Sequence, residues 1–228
     1  MTLSQANKLA AFYSAVKQRI ENACANAGRS PSSVRLLAVT KAQPETKIRA
    51  LHELGQREFG ENYCNELEVK AAKLPNLRWV FIGTLQSNKI QRIVRVASEI
   101  QTVSSLKHAR YIARYAEEFG KTPFPIFIEV NAGEEATKSG VLLKDVPALA
   151  QEIVKNFPQL ALQGIMSIPP DAIEASGQAE DLYRSLRTAA DSVGAGKLSL
   201  GMSKDLELAI SMGSDVVRIG TALFGERL

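Results

Sequence analysis

From about residue 34 onward, short runs of apolar and β-branched residues alternate with longer runs in which apolar positions recur every three or four residues. The first pattern is that of a strand and the second that of an amphipathic helix. Strands are expected near Val34 to Thr40, Glu58 to Gly60, Arg78 to Ile82, Glu99 to Val103, Pro125 to Val130, Ala161 to Met166, Lys197 to Leu200 and Val216 to Ile219. Helices are expected near Glu45 to Leu54, Tyr63 to Lys73, Ser87 to Ala97, Ser105 to Phe119, Leu143 to Asn156, Ser176 to Ala190 and Lys204 to Met212, with a last helical turn at Thr221. Ahead of them, Leu3, Leu9, Ala10, Val16, Ile20, Ala23 and Ala27 keep helical spacing up to Gly28, a residue suited to ending a helix.

Strands that alternate with helices build a parallel sheet. Eight such steps fit a closed (β/α)8 TIM barrel with an extra N-terminal helix better than an open sheet. No linker, repeat or low-complexity segment interrupts the run, so residues 1–228 are expected to form one domain. In a barrel of this kind, chemistry sits just beyond the C-terminal ends of the strands. Polar residues and glycines gather there: Lys41, Glu61, Asn62, Gly83, Ser104, Asn131, Ser167, Gly201 to Ser203, Gly220 and Thr221.

Lys41 ends the apolar stretch "RLLAVTKAQP" and shares a strand face with Leu37 and Val39. With Val39 pointing into the barrel, the amine lies at the mouth. Two readings fit. One is a lysine whose charged tip reaches water from a strand end. The other is an amine in a partly desolvated pocket, whose lowered pKa makes it a nucleophile toward aldehydes and hence a Schiff-base lysine. In "LSLGMSKDLELAI", Gly201 permits a tight turn, Met202 follows it, and Ser203 stands where the next helix is expected to begin. Ser203 is there either as an ordinary N-cap or as a contact for an anion. In "VVRIGTALFG", Gly220 allows close backbone approach and Thr221 adds a hydroxyl. These two loops follow strands 7 and 8, a frequent phosphate position in this fold.

Arg218 stands between Val217 and Ile219, where burial is costly unless something accepts its hydrogen bonds. A carboxylate such as Glu61 or Glu129 is one candidate partner, and the pyridine nitrogen of a bound cofactor is the other. A permanently cationic arginine there discourages protonation of the ring and makes it a weaker electron sink. Asn62, in "FGENY", either caps the helix beginning at Tyr63 or donates to a ring oxygen of a ligand. Weaker signals come from Gly83, Asn88 and Lys89 in "FIGTLQSNK", from Met166 and Ser167 in "GIMSIPP", and from Lys138 in a polar loop.

Composition narrows the chemistry. Two histidines, His52 and His108, both in helical patterns, give a histidine metal site or a Ser/His/Asp triad little to be built from. Two cysteines, Cys24 and Cys64, fit no metal or redox spacing and suit a reducing cytoplasm; Cys24 is expected to pack as a small apolar residue. No apolar run approaches the length of about 18 residues that a membrane span needs, and no charged leader precedes an apolar segment, so a soluble, unprocessed protein is expected. The 28 Lys and Arg are dispersed among 24 Asp and Glu, without the basic block or interleaved aromatics of a nucleic-acid binder. A small phosphorylated ligand suits the same modest surplus. Nothing in the pattern calls for a coiled coil, and a monomer is expected.

Taken together, "LLAVTKAQP", "FGENY", "FIGTLQSNK", "KSG", "GIMSIP" and "LSLGMSKDLELAISMGSDVVRIGTALFG" resemble the pyridoxal-phosphate homeostasis proteins. That family of single-domain barrels is similar to the N-terminal domain of alanine racemase, and the resemblance covers essentially the whole chain. It implies pyridoxal 5′-phosphate (PLP) as cofactor and Lys41 as its Schiff-base lysine. Met202, Ser203, Gly220 and Thr221 then fall to the phosphate end, Arg218 to the pyridine nitrogen and Asn62 to the ring. It also implies a protein that supplies PLP to other enzymes and affects amino-acid and keto-acid balance, without an established reaction of its own. An amino-acid racemase using Lys41 and a partner such as Tyr63 is the alternative. The racemases add a β-domain and a second-subunit tyrosine, and neither is expected here. The family's usual histidine before "FIG" is Val80 here.

Overall fold

The computed structural model describes residues 1–135, 137–170, 177 and 179–225. Its strands are β1 (Arg35–Val39), β2 (Glu58–Glu61), β3 (Arg78–Phe81), β4 (Glu99–Val103), β5 (Phe124–Val130), β6 (Leu160–Ser167), β7 (Lys197–Ser199) and β8 (Val216–Ile219). They follow one another in chain order around a closed barrel, with every neighbouring pair parallel. Pairing of Arg35 through Ala38 with Val216 through Ile219 closes the ring. The expected (β/α)8 TIM barrel is therefore present.

Strand parity decides what each residue faces. Leu37, Val80, Phe127, Met166 and Val216 pack with Ile82 and Val39 in an inner cluster. Their immediate neighbours Ala38, Trp79, Ile126, Ile128, Ile165 and Val217 belong to a separate outer cluster with the helices. A one-residue shift in any strand would exchange the two sets, so the alternation fixes the register. In the outer layer, α2 (Glu45–Glu53) contributes Ile48 and Leu51, α3 (Cys64–Lys73) Leu67, α4 (Ile90–Val96) Ile90 and Ile93, and α5 (Leu106–Glu118) Ile112, all fully buried. Each such side chain contributes about 1.5–3 kcal/mol through burial. The jacket is completed by α6 (Val146–Asn156), α7 (Ala179–Asp191), α8 (Leu206–Ser211) and α9 (Thr221–Phe224).

The leading helix is α1 (Leu3–Asn26), opened by a reciprocal Thr2/Gln5 capping box and followed by Gly28 in the left-handed conformation, as its spacing suggests. It packs against α8, α9 and α2, burying Leu9, Val16, Ile20 and Cys24. Among the described residues no helix is long and apolar enough to cross a membrane, and no group of three or more His, Cys, Asp or Glu is placed to hold a metal ion.

Three expected helices begin differently. Ser87–Lys89 and Leu143–Asp145 are single 3-10 turns ahead of α4 and α6. The helix expected from Lys204 starts at Leu206. There the Asp205 carboxylate accepts the Met202 N–H at 2.7 Å, which ties residues 202–205 into a turn before the helix can begin. For the helix expected from Ser176, positions 176 and 178 lie outside the described residues.

Candidate functional site

The C-terminal mouth of the barrel holds a cavity of about 280 Å3, near the lower end of the roughly 300–1,000 Å3 usual for small-ligand sites. Lys41, Asn62, Met202, Ser203, Arg218, Gly220 and Thr221 all line it, with Val39, Ile82, Ile168 and Phe224 among the apolar walls. Ring closure does this: β1 lies between β2 and β8, which brings the residue after β1 beside loops about 160–180 positions further along the chain.

Lys41 follows a strand whose inner face carries Leu37 and Val39, so the parity expectation holds and its side chain lines the cavity. The backbone on both sides of it is clamped from α3. Lys70 Nζ donates to Thr40 O at 2.7 Å, to Glu61 Oε1 at 2.6 Å and to Glu66 Oε2 at 2.7 Å. Thr40 Oγ1 donates to the same Glu61 oxygen at 2.6 Å, and Glu66 Oε2 accepts the Ala42 N–H at 2.9 Å. Ala42 has φ +59°, a conformation an L-residue adopts at a cost unless its surroundings hold it. Burial pushes the Glu61 carboxyl up, and the Lys70 and Thr40 hydrogen bonds oppose that rise. Glu66 ends below the usual carboxyl range: partial burial pushes it up, but its bonds from Lys70 and the Ala42 N–H outweigh this.

On the opposite side, the turn after β7 rests on Gly201, whose φ is +100° and whose added Cβ would lie 2.5 Å from Ala209 Cβ. Buried Asp205 holds the turn by accepting from Met202 N and from the Tyr183 hydroxyl of α7. Ser203 is not an N-cap, because Asp205 occupies that position and no side chain caps α8. Instead Ser203 Oγ accepts the Ala222 N–H at 3.1 Å and joins the turn after β7 to the start of α9. At Gly220 an added Cβ would meet Val39 O at an ordinary 3.5 Å, so the protein's own packing does not demand a glycine there. Since both residues line the cavity, that methyl would take space from a ligand.

Arg218 is 4% exposed at the base of the cavity. Neither candidate carboxylate pairs with it. Glu61 is taken by Lys70, and Glu129 accepts from Ser139 Oγ at 3.0 Å. The guanidinium donates instead to Ser199 Oγ at 2.8 Å and to Ser167 O at 2.7 Å. Burial lowers its pKa to about 10, with Asp205 and Glu129 acting in the other direction, so it remains cationic at neutral pH. The same burial pushes the Glu129 carboxyl up, against Ser139 and Arg218.

Asn62 does not cap α3, which begins at Cys64 after an uncapped Tyr63. Its Oδ1 is buried without a hydrogen-bond partner. Gly83 supports it: a Cβ there would fall 1.8 Å from Asn62 O, so only a glycine lets the two backbones approach this closely. Asn62, Ile82 and Ile168 also border a second cavity of about 290 Å3, which Lys138 lines. Tyr63 is 58% exposed and lies off the mouth cavity; Met166 is inner-core filler, and Val80 is buried in that same core. Lys70, Glu66 and Asp205 carried no signal in the pattern, since a lysine or glutamate on a helix reads as solvated surface.

A family model for the alanine racemase N-terminal domain matches residues 13–228. The pyridoxal phosphate homeostasis protein of Pseudomonas aeruginosa is 43% identical, with 93% of each chain covered. The protein of that name from Escherichia coli K12 is 36% identical, with 97% of each covered. Among solved structures, PipY of Synechococcus elongatus PCC7942 with PLP bound superimposes with a TM-score of 0.76 at 32% identity, covering 91% of this chain and 100% of that one.

Proposed function

Because the chain belongs to the pyridoxal phosphate homeostasis protein family, we propose that it binds PLP at the barrel mouth as a Schiff base on Lys41 and supplies it to other enzymes. The observation that carries this reading is the convergence of the strand-end Lys41, the buried cation Arg218 and a serine–threonine pair from the β7–β8 side on a single cavity, which Lys204 also lines. The residues fit the cofactor. Lys41 meets the aldehyde, while Ser203, Thr221 and the backbone around Met202 and Gly220 face the phosphate. Arg218 meets the pyridine nitrogen. The Asn62 amide, whose oxygen has no partner within the protein, is left for the ring hydroxyl and can turn either its oxygen or its N–H toward it. PLP itself supplies an aldehyde that exchanges between amines. The protein's residues hold it, orient it and keep its pyridine nitrogen unprotonated.

Holding is favoured over turnover because no tyrosine or histidine lines the cavity among the described residues. Release to PLP-dependent apo-enzymes follows from a bond that any competing amine reverses, and links the protein to amino-acid and keto-acid balance. A cytoplasmic monomer suits this role.

The test is reconstitution with PLP, borohydride reduction and peptide mass mapping. The pyridoxyl group is expected on Lys41, and Lys41→Ala should abolish the visible band while leaving the far-UV spectrum unchanged. Label on another residue, or no binding, would overturn the assignment. Sustained turnover of any L- or D-amino acid would replace the carrier reading with an enzymatic one.

A further inference from the structure

Gln101 and Ser199 are buried inside the barrel, line no part of the mouth cavity, and yet connect to Arg218. The connection starts among the N-terminal residues of the strands. There the buried Glu99 carboxylate accepts from Arg35 and Arg78, which also pair with Glu58. Gln101 Nε2 donates to Glu99 Oε1 at 2.7 Å, and Ser199 Oγ donates to Gln101 Oε1 at 2.8 Å. Arg218 then donates to Ser199 Oγ.

Both ends lock the direction of this chain. An ionised carboxylate only accepts and a guanidinium only donates. Glu99 therefore forces the Gln101 amide to turn its oxygen toward Ser199, and that oxygen takes the single hydroxyl proton. Ser199 is left with a lone pair for Arg218, and the arginine could not accept the proton in any case. The interior of such barrels is ordinarily filled with layers of apolar side chains. Here Leu37, Val80, Phe127 and Met166 of β1, β3, β5 and β6 keep that filling, while a polar file joins β4, β7 and β8 through the same interior. The guanidinium is thus held by two neutral acceptors, Ser199 Oγ and Ser167 O, while the Asp205 and Glu129 carboxylates favour its charge without a direct hydrogen bond to it.

We infer that Gln101 and Ser199 are positioning residues: their one-way hydrogen-bond chain through the barrel aims the Arg218 guanidinium at the ring nitrogen of the bound cofactor. A carboxylate in their place would satisfy the arginine bidentately and draw it away from the ligand. This inference rests on the PLP reading of the cavity.

The experiment compares dissociation constants for PLP and for 1-deaza-PLP, in which the ring nitrogen is a C–H group, in the wild-type full chain and in Ser199→Ala, Gln101→Met and Ser199→Thr. The wild type should favour PLP by about tenfold or more, the equivalent of a hydrogen bond from a charged group. That preference should shrink toward unity in Ser199→Ala and Gln101→Met and return in Ser199→Thr, which keeps the hydroxyl. Lys41 labelling stays intact throughout, because the amine does not depend on the chain. Equal weakening toward both ligands, or an unchanged preference in the two disrupted variants, would overturn the inference. Failure of the wild type to label at Lys41 would instead overturn the PLP reading.

Discussion

The two sides of the mouth are built from different materials. On the β1–β2 side, ionised side chains do the holding: Lys70 gathers Glu61, Glu66 and Thr40 around the backbone that carries Lys41. On the β7–β8 side, turns do it. Gly201 bends the chain, one carboxylate from Asp205 ties the turn, and Ser203 accepts a backbone N–H from the first turn of α9. On the proposed reading, the difference follows from what each side presents. A reactive amine on a long flexible stem must start from a fixed Cα, and charge-assisted bonds are the strongest available means. An anion contact made of backbone N–H groups and hydroxyls needs the main chain itself in the right shape, and glycine supplies that.

Breaking the ionic side should have the largest effect. Lys70→Met leaves the buried Glu61 carboxylate unpaired and is expected to cost about 3–5 kcal/mol, read from the urea midpoint at neutral pH. Adding Glu61→Gln should recover part of the loss. A cost below about 1 kcal/mol would show that the clamp does not hold β1 in place.

Breaking the turn side should cost less. Gly201→Ala combines a positive φ with a 2.5 Å clash against Ala209 and should destabilise by about 1–3 kcal/mol in the same assay. A pH series then separates the two sides. Glu66 titrates lower in the folded chain than is usual for a carboxyl, so its contribution is present above the ordinary carboxyl range and is lost as pH falls through the depressed value. Glu66→Gln should therefore be less stable than the wild type at neutral pH by under about 1 kcal/mol, given the partial exposure of the pair, and the gap should close on acidification. A gap independent of pH would remove Glu66 from the clamp.

The smallest effect on stability belongs to Gly220→Ala, expected within about 0.5 kcal/mol of the wild type because a Cβ meets only ordinary contacts. Its PLP affinity, measured by fluorescence titration, should nevertheless fall. A marked loss of stability would mean that the glycine serves the fold rather than the ligand.

Much of this was legible in advance for a stated reason. Strand parity and helical period are local, so the barrel and the inward face of Leu37, Val39 and Lys41 followed from short windows of the chain. Arg218 stood out because a cation between Val217 and Ile219 conflicts with its surroundings. Of its two candidate partners, a carboxylate or a cofactor nitrogen, the carboxylate reading fell: Glu61 and Glu129 are taken elsewhere and neither pairs with it. Ser203 and Asn62 were each open to two readings, a ligand contact or a cap, because a polar residue at a helix start is usually a cap. The turn tied by Asp205 and the later start of α3 placed both elsewhere.

What the chain of residues determined alone was the kind of element at each stretch, the order of those elements, and the few side chains whose chemistry disagrees with their neighbourhood. Those properties depend on contacts between residues a few positions apart. Only closure of the ring decided the rest: that Lys70 of α3 grips Thr40 30 positions earlier, and that Ser199 meets Gln101 across 98 residues. Such pairings depend on which strands become neighbours and how far each side chain reaches once the interior is filled, and no short window of sequence carries that information.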